Sequence, residues 1–347
     1  MPVRPRSLSH WFSKLLLLVS IAAPAQDLNT AAQRGIDLVA RAAVNWTKHQ
    51  TCFSCHHQTL PMLAMTEAKR AGFSISPAQM AAQAELTRAY FAARISDMDD
   101  GKHVPGGAGT AGFGLWALIL NDRPADKTTT AIVTYLLKIQ GAARLRDRRP
   151  DNPPKLGDGR WVASCKRAPL QGSDIADTVL VLMGMEKYAA PDQRAALAAA
   201  RTAAEAWLAQ VPLKNQQDRL WRLWGLHHLG GPAEIRATTQ SAIFTAQRGD
   251  GGWAETDDRQ SDAYSTAQTL YMLCRTGTPL TAPALLRARD YLLRTQLPDG
   301  SWLVESHQKF KAQPYFENGD PHGEHQFIST AATAWATAAL MRFVPLN

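Results

Sequence analysis

Cysteine is scarce in this chain: four in 347 residues are too few to staple a fold of this length, so stability must come from a buried apolar core. Charge is sparse as well, at 20% of residues. Beyond the N-terminal region no run of apolar residues is long enough to cross a bilayer, which excludes a later spanning helix. Convincing runs of alternating apolar and polar residues are also missing, and their absence argues against half-buried strands. What remains is abundant apolar sequence, 45% of the chain, enough for one large core or two ordinary ones.

The first residues have their own pattern. Arg4, Arg6 and Lys14 precede an apolar run over residues 15–23, and Ala23-Pro24-Ala25 stands before Gln26. This order of basic, apolar and small residues predicts a cleaved export signal over residues 1–25, with an uncleaved anchor as the alternative. The expected mature protein is one domain, 26–347, in the periplasm or outside the cell. Cleavage takes away three basic and no acidic side chains, so the formal charge falls from +8 to +5. So mild an excess argues neither for nucleic acid nor for strong membrane attraction.

Apolar residues recur at helical spacing almost throughout, predicting an all-α protein. The expected helices are 28–48, 58–72, 77–94, 108–121, 125–139, 172–188, 191–209, 216–229, 232–247, 262–276, 282–295 and 328–342. They pair as six antiparallel hairpins. Second members such as 172–188, 262–276 and 328–342 are apolar or small nearly all round, whereas partners such as 191–209 and 282–295 carry charge on one side. That contrast predicts an inner ring of helices within an outer ring. Helix 216–229, with Arg219 and Arg222, is polar for an inner position, and 131–138 is apolar for an outer one.

A repeat marks the connections. Gln247-Arg248-Gly249-Asp250-Gly251-Gly252-Trp253 and Gln296-Leu297-Pro298-Asp299-Gly300-Ser301-Trp302 follow two first helices, and a longer version runs from Gln140 to Asp158-Gly159-Arg160-Trp161. Asp-Gly supplies a tight turn, the Gln amide suits backbone groups left open at helix ends, and the Trp covers the junction. Followed by a helix beginning Ser/Asp…Thr-Ala, this pattern resembles the repeat of squalene–hopene cyclases and protein prenyltransferase β subunits, over about residues 30 to 342. The resemblance implies an α6/α6 toroid, an architecture that hosts many functions. Two departures bear on activity. The family's Asp-x-Asp-Asp-Thr resembles Ser173-Asp174-Ile175-Ala176-Asp177-Thr178, but the protonating middle Asp is Ala176 here. Where zinc prenyltransferases have Asp-x-Cys, this chain has Asp262-Ala263-Tyr264.

The most specific chemical signal is Cys52-Phe53-Ser54-Cys55-His56-His57-Gln58. Two thiols three residues apart, followed at once by imidazole, is the spacing that attaches a c-type haem, with Cys52 and Cys55 forming thioethers and His56 ligating iron. A disulfide, inert thiols or a zinc corner completed from elsewhere fits the same residues. Met62 and His57 are candidates for a second metal ligand, with Met65, His49 and His103 as further options. Cys165 and Cys274 form a bridge or stay separate buried thiols, of which the latter is the reading preferred.

If first helices are outer and second helices inner, every outer-to-inner link lies at one mouth of the ring, towards the inner helices' positive dipole ends. Those links include the Cys52–Gln58 segment and the long loops 140–172, 248–261 and 296–327. Asp174 and Asp177, at an inner-helix start, are candidate acid–base groups or helix caps. The 303–327 loop adds Glu305, His307, Tyr315, Phe316, Glu317, His322, Glu324 and His325, with His325 the third catalytic candidate. The 141–171 loop is basic, and Arg167 stands nearest the mouth. His227-His228 falls at the other end. Three functions follow as expectations: a haem protein for electron transfer or redox-linked ligand handling, with a redox partner; a terpenoid- or lipid-modifying enzyme with an apolar small molecule in the central cavity; or a binding scaffold whose Cys52 and Cys55 pair or hold a metal. Trp116, Tyr271 and Trp335 are few aromatics for stabilising a carbocation.

Overall fold

The computed structural model describes residues 27–102, 104–141, 159–165, 167–307 and 318–345. The export-signal reading of residues 1–25 lies outside them, as do His103, Tyr315, Phe316, Glu317 and most of the basic loop.

Twelve long helices occupy the expected places: α1 (Leu28–His49), α2 (Leu60–Arg70), α3 (Pro77–Ala92), α5 (Gly107–Leu120), α6 (Lys127–Ile139), α7 (Asp174–Tyr188), α8 (Arg194–Gln210), α9 (Gln216–Leu229), α10 (Ala233–Thr245), α11 (Ala263–Arg275), α12 (Pro283–Thr295) and α13 (Gln326–Leu340). A short α4 (Ile95–Asp99) lies between α3 and α5 and packs on α6. The inner ring closes: α2 packs on α5, then α5 on α7, α7 on α9, α9 on α11, α11 on α13 and α13 on α2. Outer helices fill the grooves outside, α1 against α13 and α2, α6 against α5 and α7, α8 against α7 and α9, and α12 against α11 and α13. The fold is the all-α toroid that the hairpin pattern predicts. Arg222 sits in inner helix α9 because its guanidinium reaches outward to Thr239 Oγ1, 2.8 Å away on α10.

The repeat residues stitch neighbouring hairpins together. Gln140 Nε2 donates to Gly159 O (2.9 Å) and to Ala200 O of the next outer helix (3.0 Å). Gln247 Nε2 does the same to Gly251 and Ala284 (2.9 and 2.8 Å), and Gln296 Nε2 to Gly300 and Ala31 (3.0 and 2.9 Å). The last of these joins α12 to α1 and so closes the outer ring. Each tryptophan then spans inner and outer layers. Trp161, Trp253 and Trp302 donate Nε1–H to Leu136, Ile243 and Leu292 of the preceding outer helix, and their backbone N–H to Thr178, Thr266 and Thr333 of the following inner one. Glycine is required where the turn meets the next helix: a Cβ at Gly300, whose φ is +90°, would lie 2.6 Å from Arg34 O. This geometry explains why three Gln…Asp-Gly…Trp runs recur.

Aromatic rings fill the middle of the annulus. Trp116 of α5, Trp221 and Trp224 of α9, Tyr271 of α11 and Trp335 of α13 touch one another with centroid separations of 5.2–6.4 Å. All five are buried. At the far end, Glu67 of α2 accepts from Tyr271 OH (2.9 Å), Arg70 Nε (2.8 Å) and Arg342 Nη1 (3.3 Å), tying three inner-helix ends. Cys274 also lies at this end, on α11, while Cys165 lies at the mouth; both are separate free thiols as the preferred reading has it, but half-buried rather than buried. His228 Nε2 is 2.5 Å from Glu186 Oε2 at this same far end, a surface pair joining α9 to α7. No helix among the described residues is long and apolar enough to cross a membrane.

Candidate functional site at the mouth

The Cys52–Gln58 link crosses the mouth differently from the stitched junctions. Trp46 Nε1, near the end of α1, donates to Cys52 O (2.9 Å). Gln58 then folds back so that its Oε1 accepts the Ser54 N–H (2.6 Å), starting a single wide turn over Cys55–Thr59 that leads into α2. Its wider i→i+5 bonding is a form often found at functional sites. The turn places His56 and His57 inside the protein. His57 is fully buried, stacked on Trp46 at 4.5 Å, with Nε2 2.6 Å from Asn318 Nδ2. His56 is 7% exposed and packs edge-on against Phe327 (5.1 Å) and Trp46 (5.6 Å). Its Nδ1 lies 3.2 Å from Ser54 Oγ and 3.6 Å from Cys55 Sγ, while its Nε2 has no hydrogen-bond partner.

Burial sets the protonation here. It pushes the His56 pKa down to about 3, with the nearby Arg167 cation adding to the shift. His57 is likewise lowered, by burial and then by His56. The Cys55 thiol is pushed up to about 12 by burial and by neighbouring Cys165, and burial raises Cys52 as well. At neutral pH the cluster therefore holds neutral imidazoles and protonated thiols, and neither cysteine is a thiolate nucleophile. Cys52 and Cys55 are unbridged.

A strap over residues 167–171 covers this cluster. It is pinned by two backbone bonds, Arg167 N–H to Gln171 O (3.0 Å) and Gln171 N–H to Arg167 O (2.8 Å), and Gln171 Nε2 donates to Cys55 Sγ (3.5 Å). Between strap and turn lies a cavity of about 40 Å³, lined by His56, Arg167, Leu170, Gln171, Ser306, Phe327 and Ile328. The cavity offers a neutral, unpartnered Nε2, an apolar wall and one guanidinium, with the Cys55 thiol behind Gln171 and neither cysteine in its lining. The cavity itself is far smaller than a porphyrin.

The other candidates fall into distinct environments around the same mouth. Ser173 caps α7, accepting from Ala176 N–H, so neither aspartate is the cap. Asp174 instead ties down the preceding loop, accepting from Ala163 N–H (2.8 Å) and pairing with Arg160 (3.1 Å). It borders a cleft of about 270 Å³ with Arg160, Ser173, Trp207, Lys214 and Asp218. Asp177 faces α5, both oxygens 2.6 Å from where a Cβ on Gly109 would stand. Burial, and then Asp174, raise its pKa to about 8, so it holds a proton at neutral pH. Asp262 caps α11 through Ser265, as an N-cap reading has it, and Tyr264 donates to Gln217 Oε1 (3.1 Å).

Loop histidines serve the loop. His322 Nε2 is 2.7 Å from Ser301 Oγ, and His325 Nδ1 accepts from Ser306 N–H (3.1 Å). The described residues contain no group of three or more His, Cys, Asp or Glu side chains arranged to hold a metal. Met62 and Met65 are core residues of α2, and His49 is exposed. Sequence reasoning passed over Glu255, a buried carboxyl with Oε2 3.1 Å from His307 Nδ1, and Asn318, which holds His57. Glu255 stands two residues beyond a repeat Trp, a position that carries a second signal only once the loop is folded.

No family model matches the chain, and no curated protein matches it. Solved structures do. A glycosidase point variant superposes with a TM-score of 0.57 at 11% identity, covering 92% of this chain and all of that one. A second glycosidase variant, in complex with glucose, gives the same values. An unsaturated glucuronyl hydrolase from Bacillus sp. GL1 gives 0.53 at 12% identity, covering 91% of this chain and 97% of its own. These likenesses show the α/α-toroid fold.

Proposed function

We propose that this chain is an exported α/α-toroid protein that carries one covalent c-type haem at its mouth, for electron transfer or redox-linked ligand handling. The observation that carries this reading is the His56 Nε2, buried, neutral and without a partner, on a residue whose Nδ1 lies 3.6 Å from Cys55 Sγ, in Cys-x-x-Cys-His order with both thiols unbridged. An unpaired buried nitrogen costs about 1–3 kcal/mol, a cost that a metal bond removes. When bound, the haem supplies a one-electron couple. The chain's residues do the rest. Cys52 and Cys55 would hold the group through thioethers and His56 would offer its Nε2 to the iron, while Leu170, Phe327 and Ile328 exclude water. Arg167 offers a cation to an anionic group. Asn318 and Trp46 fix His57, and through it the turn that carries His56.

Expression of the full chain in a host that attaches c-type haem, followed by absorption spectra with and without dithionite and by intact mass, tests this. A Soret band that shifts on reduction, with a covalent mass increment lost in Cys52→Ala/Cys55→Ala, is expected. Colourless protein of unmodified mass from that host overturns it.

One observation favours a second reading, an enzyme with a general acid at the mouth: Asp177 keeps its proton at neutral pH. Its substrate is a small molecule taken up at the mouth, a sugar like the glucose held by one structural neighbour or an apolar molecule. The five rings that fill the annulus leave the rim clefts as the more accessible place for either. Hydrolytic activity on a glycoside panel that disappears in Asp177→Asn supports this reading, and inactivity of the wild type on all of them counts against the sugar.

A further inference from the structure

The five rings at the centre of the annulus differ from ordinary packing in how their polar ends are treated. Trp161, Trp253 and Trp302 each give their indole N–H to a helix carbonyl. Among the described residues, Trp116, Trp221, Trp224 and Trp335 have no such acceptor, and Trp335 Nε1 is buried outright. Tyr271 is the exception in the cluster: its hydroxyl donates to Glu67 Oε1 at 2.9 Å. Arg70 and Arg342 hold that carboxylate from its other oxygen. The rings form an unbroken path, Trp221 to Trp224 (5.2 Å), Trp224 to Trp116 (5.8 Å), Trp116 to Trp335 (6.0 Å) and Trp335 to Tyr271 (5.5 Å).

Indole and phenol are the side chains most readily oxidised by one electron without leaving the π system, and rings in van der Waals contact exchange an electron readily. An oxidised indole whose N–H has no base stays a cation in an apolar interior, which is unfavourable. An oxidised phenol that passes its proton along an existing hydrogen bond becomes a neutral radical. We propose that the Trp–Tyr cluster is a conduit and store for a one-electron hole, which comes to rest on Tyr271 with its proton on Glu67. The balance is one electron from Tyr271 to the oxidised indole, restoring neutral Trp335, and one proton from the Tyr271 oxygen to the Glu67 carboxylate. All five rings are buried, so the electron leaves by tunnelling to a one-electron oxidant held at the protein surface. α13 links this store to the mouth, since Trp335 lies eight residues beyond Phe327, about 12 Å along the same helix. The proposal stands apart from the haem reading, because the conduit needs no haem to operate.

Flash–quench oxidation of the full haem-free chain tests it. Photogenerated ruthenium(III) tris-bipyridine, with persulfate as the sacrificial acceptor, supplies the oxidant, and radicals are read by transient absorption and freeze-quench EPR. The wild type is expected to give a long-lived neutral tyrosyl radical. Tyr271→Phe, which keeps the ring and the packing, should lose that signal and leave an indole radical, and Glu67→Gln should shorten its lifetime at least tenfold. Trp116→Phe should slow its appearance. A tyrosyl signal that persists unchanged in Tyr271→Phe, or a wild type with none, overturns the proposal. Neither result bears on whether Cys52 and Cys55 attach haem.

Discussion

Two kinds of outer-to-inner link share the mouth of this toroid, and they satisfy their polar atoms to different degrees. In the stitched junctions each Gln amide bonds two carbonyls, and each Trp bonds one helix through its ring and another through its backbone. Gln296 Oε1 is the one atom of these Gln and Trp side chains left buried with no partner, whereas in the Cys52–Gln58 link His56 Nε2, His57 Nδ1 and Gln58 Nε2 all are. The first arrangement spends its hydrogen bonds on holding hairpins together. The second leaves donors and acceptors unsatisfied inside the protein, a costly state that natural folds keep mainly where something else is to be bound.

The comparison breaks most clearly at a stitched junction. Trp302→Ala removes a fully buried ring and its Nε1–H bond to Leu292 O, while the backbone bond to Thr333 stays, and should lower stability by about 3–5 kcal/mol in urea titration. Gln296→Ala, which opens the α12–α1 closure, should cost about 1–3 kcal/mol through two lost bonds. His56→Ala is the informative contrast. It removes a buried side chain of similar depth, yet relief of the unpaired Nε2 offsets the cavity, so a loss under about 1 kcal/mol is expected in the haem-free chain. A loss as large as that of Trp302→Ala would make His56 another packing residue.

Asp177 sharpens the same contrast through pH. Its folded-state pKa is raised to about 8 against an ordinary 3.8. The protonated carboxyl therefore supports the fold fully below about pH 4, and that support is lost as pH rises towards 8. Asp177→Asn should remove this slope, so the stability of the variant relative to wild type should grow between pH 4 and pH 8 and level off above. Chemical denaturation at several pH values checks it, and equal slopes in the two proteins would show that the carboxyl ionises freely in the fold. Burial sets the value first and Asp174, paired with Arg160, adds to it, while the Gly109 N–H acts against both.

Helix positions, the pairing of hairpins and the inner–outer division were legible before any coordinates, because each depends on local periodicity and on composition along one helix. The repeat was legible too, since Gln, Asp-Gly and Trp recur at fixed spacing. Its partners were not: that Gln296 reaches Ala31 and closes the ring joins residues at opposite ends of the chain. For the mouth, Cys-x-x-Cys-His named a chemistry, and the order of helices put it on the rim beside the α7 entrance, where Gln171 meets Cys55.

Along the chain, side chains state what they can do: thiols and imidazole at haem-attachment spacing, carboxyls at a helix start, tryptophans after Asp-Gly turns. Tertiary structure alone decided which of them are satisfied. Asp174 and Asp177 look alike in sequence, yet one meets Arg160 and the Ala163 N–H while the other turns towards Gly109 and keeps its proton. Trp302 and Trp335 are equally apolar in sequence, yet only one finds a carbonyl for its N–H. The physical reason is that desolvation and hydrogen-bond partnership depend on atoms brought close from distant helices, and no local pattern encodes that closeness.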